Sequence, residues 1–216
     1  MTTERIVFTS EDFLILYKES GLDTVPLKRS TGPTLLSFAA EEYPEVAAPF
    51  SDNYWEGGVL HRLDRGTSGL VLVARKKSFF DKMIEEQRKG RFEKRYVAVT
   101  DERNDPLPPG FPHCPFEFSP SLISSSFRAY GVGRKEVRPV LSDGKAYYTK
   151  ITGIEGKRVF VTLRSGFRHQ IRAHLAWLSH PIDGDELYKG RYAERLMLES
   201  TGLSFLGFTY DIKPEI

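Results

Sequence analysis

An α+β fold is predicted for this chain, and three observations predict it. Strand-like and helix-like stretches do not alternate regularly, which disfavours a doubly wound sheet. Residues 70–74, LVLVA, are apolar at every position, as in a strand buried on both faces. Residues 145–154 and 157–165 read as two strands joined by a tight turn at Glu155–Gly156.

The other elements follow in order. Residues 13–22 open as an apolar strand and break at Gly21, with Lys18 just past the apolar part. Residues 34–46 read as a short helix or irregular segment stopped by Pro44. After LVLVA, a helix is expected over 78–90, capped by Ser78, apolar at 79, 80, 83 and 84, and stopped at Gly90. Residues 92–99 have strand character, with Lys94, Tyr96 and Ala98 on one face and Arg95, Val97 and Val99 on the other. Five prolines in residues 101–115 make that stretch a loop, an excursion rather than a domain linker. A helix over 169–180 and a mixed tail over 195–212 complete the chain.

A length of 216 residues fits one medium domain, and a single domain over 1–216 is expected. Hydrophobic residues at 40% and charged residues at 28% argue against disorder. Lys and Arg exceed Asp and Glu by only 31 to 29, so any nucleic-acid partner must be met by a local patch. Residues 88–95 (RKGRFEKR) and 133–138 (GRKEVR) are the candidates. Cys114 is the sole cysteine and cannot form an internal disulfide. The N-terminal stretch carries charges where a signal peptide needs an apolar core. No run approaches the ~18 apolar residues of a membrane span. A soluble, cytoplasmic protein is the expectation.

The residues that bear chemistry lie in two places. The loop HRLDRGTSG (61–69) sets Asp64 close to Arg62 and Arg65, directly before the buried strand. A loop aspartate ordinarily caps a turn, but loops at the ends of buried strands are also where active sites form. Farther on, Arg168 and Arg172 are four residues apart, beside the apolar stripe Ile171, Leu175 and Leu178 of the expected helix. Such a pair suits a carboxylate or phosphates, or it is simply solvated. His169 and His174, five apart, point to different sides of a helix, and no metal site is expected. Tyr96 is either a core aromatic or, beside Lys94 and Arg95, a ring that stacks on a base.

Taken together these stretches resemble the RluA-like pseudouridine synthases. HRLDRGTSGL is similar to that family's HRLD-x-x-TSG-L signature, FEKRYVAV to its Lys-x-Tyr strand, and HQIRAHLAWLSHPIDGDELY to its third motif. The resemblance covers roughly residues 11–210. It implies a mixed, largely antiparallel central sheet, flanked by helices and loops around a catalytic cleft. It implies isomerisation of uridine in ribosomal or transfer RNA, with Asp64 as the essential aspartate and neither metal nor organic cofactor. Tyr96 would stack on the target uracil, and Arg62 would fill the space it leaves or hold the backbone. The family's arginine that pairs with the aspartate aligns to Phe167, so Arg168, one place later, or Arg172 is expected to replace it. Arg168 is taken to reach Asp64, and Arg172 to hold phosphate or the helix–sheet packing. The proline of the family's Asn-Lys-Pro turn is lost at Tyr17-Lys18-Glu19, and its Leu-His-Ala reads Leu198-Glu199-Ser200. Two other readings are a catalytically reduced RNA-binding protein on the same fold, and a hydrolase pairing Asp64 with Asp183 or Asp185.

Overall fold

The apolar run LVLVA does become an interior strand. A computed structural model describes residues 5–26, 32–141 and 144–216; the first four residues of the charged N-terminal stretch lie outside them. The strands are β1 (Ile6–Thr9), β2 (Phe13–Lys18), β3 (Ser68–Ala74), β4 (Glu93–Val99), β5 (Leu122–Tyr130), β6 (Glu136–Val140), β7 (Tyr147–Glu155), β8 (Arg158–Leu163), β9 (Leu198–Phe205) and β10 (Phe208–Asp211). The helices are α1 (Leu35–Glu42), α2 (Lys77–Arg88) and α3 (Gln170–Trp177), with short 3₁₀ turns between. The chain packs as two units, Met1–Phe92 with Ser200–Ile212, and Glu93–Glu199 with Lys213–Ile216.

In the first unit β3 lies between β2 and β9, and all seven of its residues are buried. Its antiparallel register with β2 runs from Phe13 opposite Ala74 to Lys18 opposite Gly69. The strand can approach β9 only because Gly69 has no side chain: at φ +109° a Cβ would sit 2.2 Å from the Ser200 carbonyl oxygen. One face of the sheet packs Ile15, Leu70, Leu72 and Leu203 against Phe79, Phe80 and Met83 of α2. Phe13 stacks on Phe79 at 5.0 Å and meets Phe205 edge-on at 5.2 Å, so aromatic contacts add to area burial. The expected Ser78 cap is corrected: α2 starts at Lys77 with Lys76 as an N-cap that makes no side-chain hydrogen bond. Burial of three large apolar side chains outweighs the ~1 kcal/mol of a cap.

In the second unit the strand order is β4-β8-β7-β5-β6, each described pair antiparallel. The turn expected at Glu155–Gly156 joins β7 to β8, with Glu155 opposite Arg158. β5 changes partners along its length: Leu122–Ser125 pair with β7, and Ser126–Tyr130 pair with β6. Residues 126–140 are thus a hairpin whose two strands, among the described residues, pair with each other in this half. The Ser-rich sequence LISSSFRAY hides this strand from a reading of apolar periodicity. The proline-rich stretch holds no helix or strand, and the indole of Trp177 donates to the Pro112 carbonyl at 2.8 Å. Among the described residues no helix is long and apolar enough to cross a membrane.

Candidate active site

The loop before β3 is held by its backbone. Thr24 Oγ1 donates to the Leu63 carbonyl and accepts from the Leu63 N–H, at 3.1 and 3.2 Å. The Thr67 N–H closes a turn onto the Asp64 carbonyl at 3.0 Å. The Arg65 carbonyl accepts from Lys18 Nζ and from the Gly21 N–H, and the Gly66 carbonyl accepts from Ser20 Oγ at 2.8 Å. Four consecutive carbonyls, Leu63 to Gly66, are therefore fixed, and the half-buried Asp64 side chain stands on a rigid frame. His61 adds an anchor at the other end, its Nε2 accepting from the Leu72 N–H at 3.2 Å, which places the imidazole proton on Nδ1.

Lys18, which spacing alone left unassigned, organises this frame. It is fully buried and donates to the Glu19, Leu22 and Arg65 carbonyls at 2.9, 2.7 and 3.0 Å. Burial pushes its pKa down to about 8, against the opposing charges of Asp23 and Asp64. An ammonium has three donors, and all three are used. Arg62 and Arg65 do not fold toward Asp64 as a short sequence distance suggests. Arg62 pairs with Glu56 at 2.5 Å, and Arg65 reaches Asp23 at 3.4 Å. Carboxylates brought close by the chain fold compete for long, exposed guanidiniums, and sequence neighbours have no advantage.

In the second unit Tyr96 and Lys94 share one buried face of β4, opposite Val161 and Leu163 of β8. Burial lowers the Lys94 pKa to about 8. Helix α3 contributes Arg172, whose Nε and Nη2 donate to the two carboxylate oxygens of Asp185 at 2.7 and 2.9 Å. Asp185 also accepts from the Tyr188 N–H at 3.3 Å. The pair is buried, so Arg172 is part of a structural network rather than a solvated arginine.

Arg168 is corrected in place and in partner. The four-residue spacing predicts a place on the helix, stacked one turn before Arg172. His169 instead takes a left-handed conformation at φ +55° and forms the N-cap, so Arg168 precedes the helix and the four-residue spacing loses its meaning. Its Nη2 donates to the carbonyls of Arg134 and Glu136 at 2.6 and 3.1 Å. Phe167 stacks on Phe127 of β5, ring centroids 5.1 Å apart.

His174 carries no sequence signal beyond its place in the third motif, yet it is a polar centre of this unit. Its Nε2 lies 2.8 Å from Ser125 Oγ and its Nδ1 2.8 Å from Thr149 Oγ1, with no exposed surface. Burial pushes its pKa down to about 3. Between the ordinary value near 6.5 and about 3, the unfolded chain binds a proton that the folded protein excludes. Stability should therefore fall as pH is lowered through that window, by up to roughly 1.4 kcal/mol per pH unit. His174→Asn, which does not titrate there, should flatten the profile. Unfolding midpoints from pH 7 to 4 that drop equally in both proteins would assign the acid sensitivity elsewhere.

The two basic stretches differ in how much charge they leave uncompensated. In 88–95, Lys89 pairs with Glu85, Arg91 with Glu86 and Arg95 with Glu93, and Lys94 is buried, which leaves Arg88 as the exposed cation outside these pairs. In the β5–β6 hairpin Arg128, Arg134 and Lys135 are exposed, and Arg128 stands opposite Arg138 in the ladder. Like charges in that position repel. Arg138 lies over the Tyr130 ring at 5.1 Å and donates to the Gly110 carbonyl.

Residues 12–177 match the family described as RNA pseudouridylate synthase. The ribosomal large subunit pseudouridine synthase D of Blochmanniella floridana is 24% identical over 192 residues, covering 87% of this chain and 54% of that protein. An uncharacterised RNA pseudouridine synthase of Bacillus subtilis is 28% identical over 215 residues, covering 93% of this chain and 67% of that protein. Among solved structures, human RNA pseudouridylate synthase domain containing 1 shares the fold, with a TM-score of 0.67 at 22% identity, over 97% of this chain and 82% of the human one. The chain spans about half the length of the Blochmanniella relative.

Proposed function

Because the chain belongs to the RNA pseudouridylate synthase family, we propose that it converts uridine to pseudouridine in ribosomal or transfer RNA, with residues 1–216 working as one catalytic domain in the cytoplasm. The family match across residues 12–177, which contains Asp64 and Tyr96 in their motifs, carries this reading. In the reaction the bond from N1 of uracil to C1′ of ribose breaks, and a bond from C5 to C1′ forms. C5 loses a proton and N1 gains one. Atoms and electrons balance without an oxidant, a reductant or a second substrate.

Asp64 starts the bond cleavage, which its ionised form favours. The fixed carbonyls of residues 63–66 support that role, since a nucleophile on a rigid loop loses little to reorientation. Tyr96 stacks on the target uracil after it leaves its helix. Arg62, more than half of whose side chain is exposed beside Glu56, contacts the strand from which the base departs. Arg172, paired with Asp185, supports the packing of the second unit. The exposed cations of the β5–β6 hairpin take up phosphates, the function suggested by their uncompensated charge.

The test uses transcribed ribosomal and transfer RNA carrying tritium at C5 of uridine. Isomerisation should release tritium to water, and log affinity should fall linearly with log salt. Absence of both release and chromatographically detectable pseudouridine across these RNAs would overturn the proposal.

A further inference from the structure

We infer that Arg168 is a positioning residue: it locks the β5–β6 hairpin in the orientation that grips RNA. The inference rests on the RNA reading above and deepens it. From Ser126 on, β5 pairs with β6 at the end of the sheet order rather than with β7, and a ribbon of two strands with nothing packed on it is marginal in water. Its turn holds one non-glycine residue in the left-handed region, Arg134 at φ +57°, while Gly131 and Gly133 take φ of +75° and +67° without a Cβ to clash. Something outside the hairpin must hold it.

Core packing does part of this: Val137 is buried against Ala173, Ala176 and Tyr188, the Phe127 ring lies 4.8 Å from the His174 ring, and Arg138 donates to the Gly110 carbonyl. Three further contacts come from Phe167, Arg168 and Tyr188. Arg168 Nη2 bridges the Arg134 and Glu136 carbonyls, tying the turn to the start of β6. The Phe167 ring stacks on Phe127 of β5, 9° from parallel. The Tyr188 hydroxyl accepts from the Val137 N–H and donates to the Val137 carbonyl, at 2.9 and 3.0 Å, filling the place of a neighbouring strand at the edge of β6. Phe167 is itself fixed, because its N–H donates to Gln170 Oε1.

Of the three, Arg168 has the most distinct consequence. It is exposed, so its removal opens no cavity, and it meets only backbone carbonyls, so no buried charge is left behind. What its loss releases is the turn that presents Arg134, Lys135 and the outward-facing Val132. A hairpin ordered before it meets RNA avoids the entropy cost of ordering on binding. A guanidinium donating to two carbonyls beside two other cations also adds charge to the phosphate-facing surface, while the carbonyl dipoles reduce the repulsion among them.

The experiment compares wild type, Arg168→Ala, Arg168→Lys and the double variant Arg134→Ala/Lys135→Ala on tritium-labelled RNA, with amide hydrogen exchange of the RNA-free proteins. Arg168→Ala should raise exchange in residues 126–140 by about tenfold, and raise Kd for RNA by roughly 5- to 20-fold. The saturating single-turnover rate should fall by a smaller factor than affinity. Arg168→Lys should recover part of the protection and part of the affinity, since an ammonium can donate to the same carbonyls. Unchanged exchange in Arg168→Ala would overturn the inference, and so would a rate loss exceeding the affinity loss. Normal affinity in the Arg134/Lys135 double variant would overturn it too, by removing the hairpin from the RNA surface. If wild type neither binds nor isomerises RNA, the proposed function itself fails, which is a separate outcome.

Discussion

Asp64→Asn is expected to abolish isomerisation, with turnover at least ~10⁴-fold below wild type, the scale seen when a reacting group is removed from an assembled site. Asparagine keeps the shape of the side chain and loses the charge that makes it a nucleophile. The fold should survive. The loop around residue 64 is held through the carbonyls of 63–66 and through Lys18, none of which needs the Asp64 carboxylate. RNA affinity should stay within a few-fold, because the proposed phosphate contacts lie on the β5–β6 hairpin. The measurement is tritium release under single-turnover conditions beside a direct binding assay, on protein checked by mass spectrometry for deamidation. Measurable turnover by intact Asp64→Asn would take Asp64 out of the chemistry.

Arg172→Ala is expected to act chiefly on stability. The sequence leaves Arg172 either a phosphate ligand, whose loss weakens binding, or part of the helix–sheet packing; the guanidinium is buried and bidentate on Asp185, which is itself 1% exposed. Removing the arginine leaves a carboxylate with little besides the Tyr188 N–H to satisfy it. An uncompensated buried charge costs about 3–5 kcal/mol, which for a chain of this size lowers the unfolding midpoint by on the order of 10 °C. Replacing both partners with apolar residues of similar volume, Arg172→Met with Asp185→Leu, should restore most of that loss. Calorimetry on the two variants decides the matter. A single variant as stable as wild type, or a double variant no better than the single, would contradict the view of this pair as a buried unit.

Much of the first unit was legible from the chain alone, for a physical reason: its signals are local. LVLVA is apolar at every position and can satisfy itself only inside a sheet. The helix of residues 77–88 follows from the spacing of Phe79, Phe80 and Met83, which is one face of a 3.6-residue period. HRLDRGTSG places its carboxylate before that strand through turn residues whose conformational preferences do not depend on distant partners. The five-strand unit was half legible. The β7–β8 turn stood out, whereas β5 and β6 did not, because serines and arginines on a ribbon with solvated faces give no apolar alternation.

Partner choice was decided only by the tertiary structure. Arg62 and Arg65 flank Asp64 in sequence, yet Glu56 and Asp23 hold them. Lys18 looked ordinary, and only the fold reveals a buried ammonium that joins β2 to the loop through three carbonyls. The spacing of Arg168 and Arg172 alone makes them neighbours on one helix. A single residue, His169 at φ +55°, sends one to the hairpin and the other into the core. The sequence by itself determined which side chains carry charge and which segments must be buried, because burial depends on composition and period. The tertiary structure alone decided which charge meets which, because long side chains select among carboxylates and carbonyls that the fold brings within a few ångströms, wherever they lie along the chain.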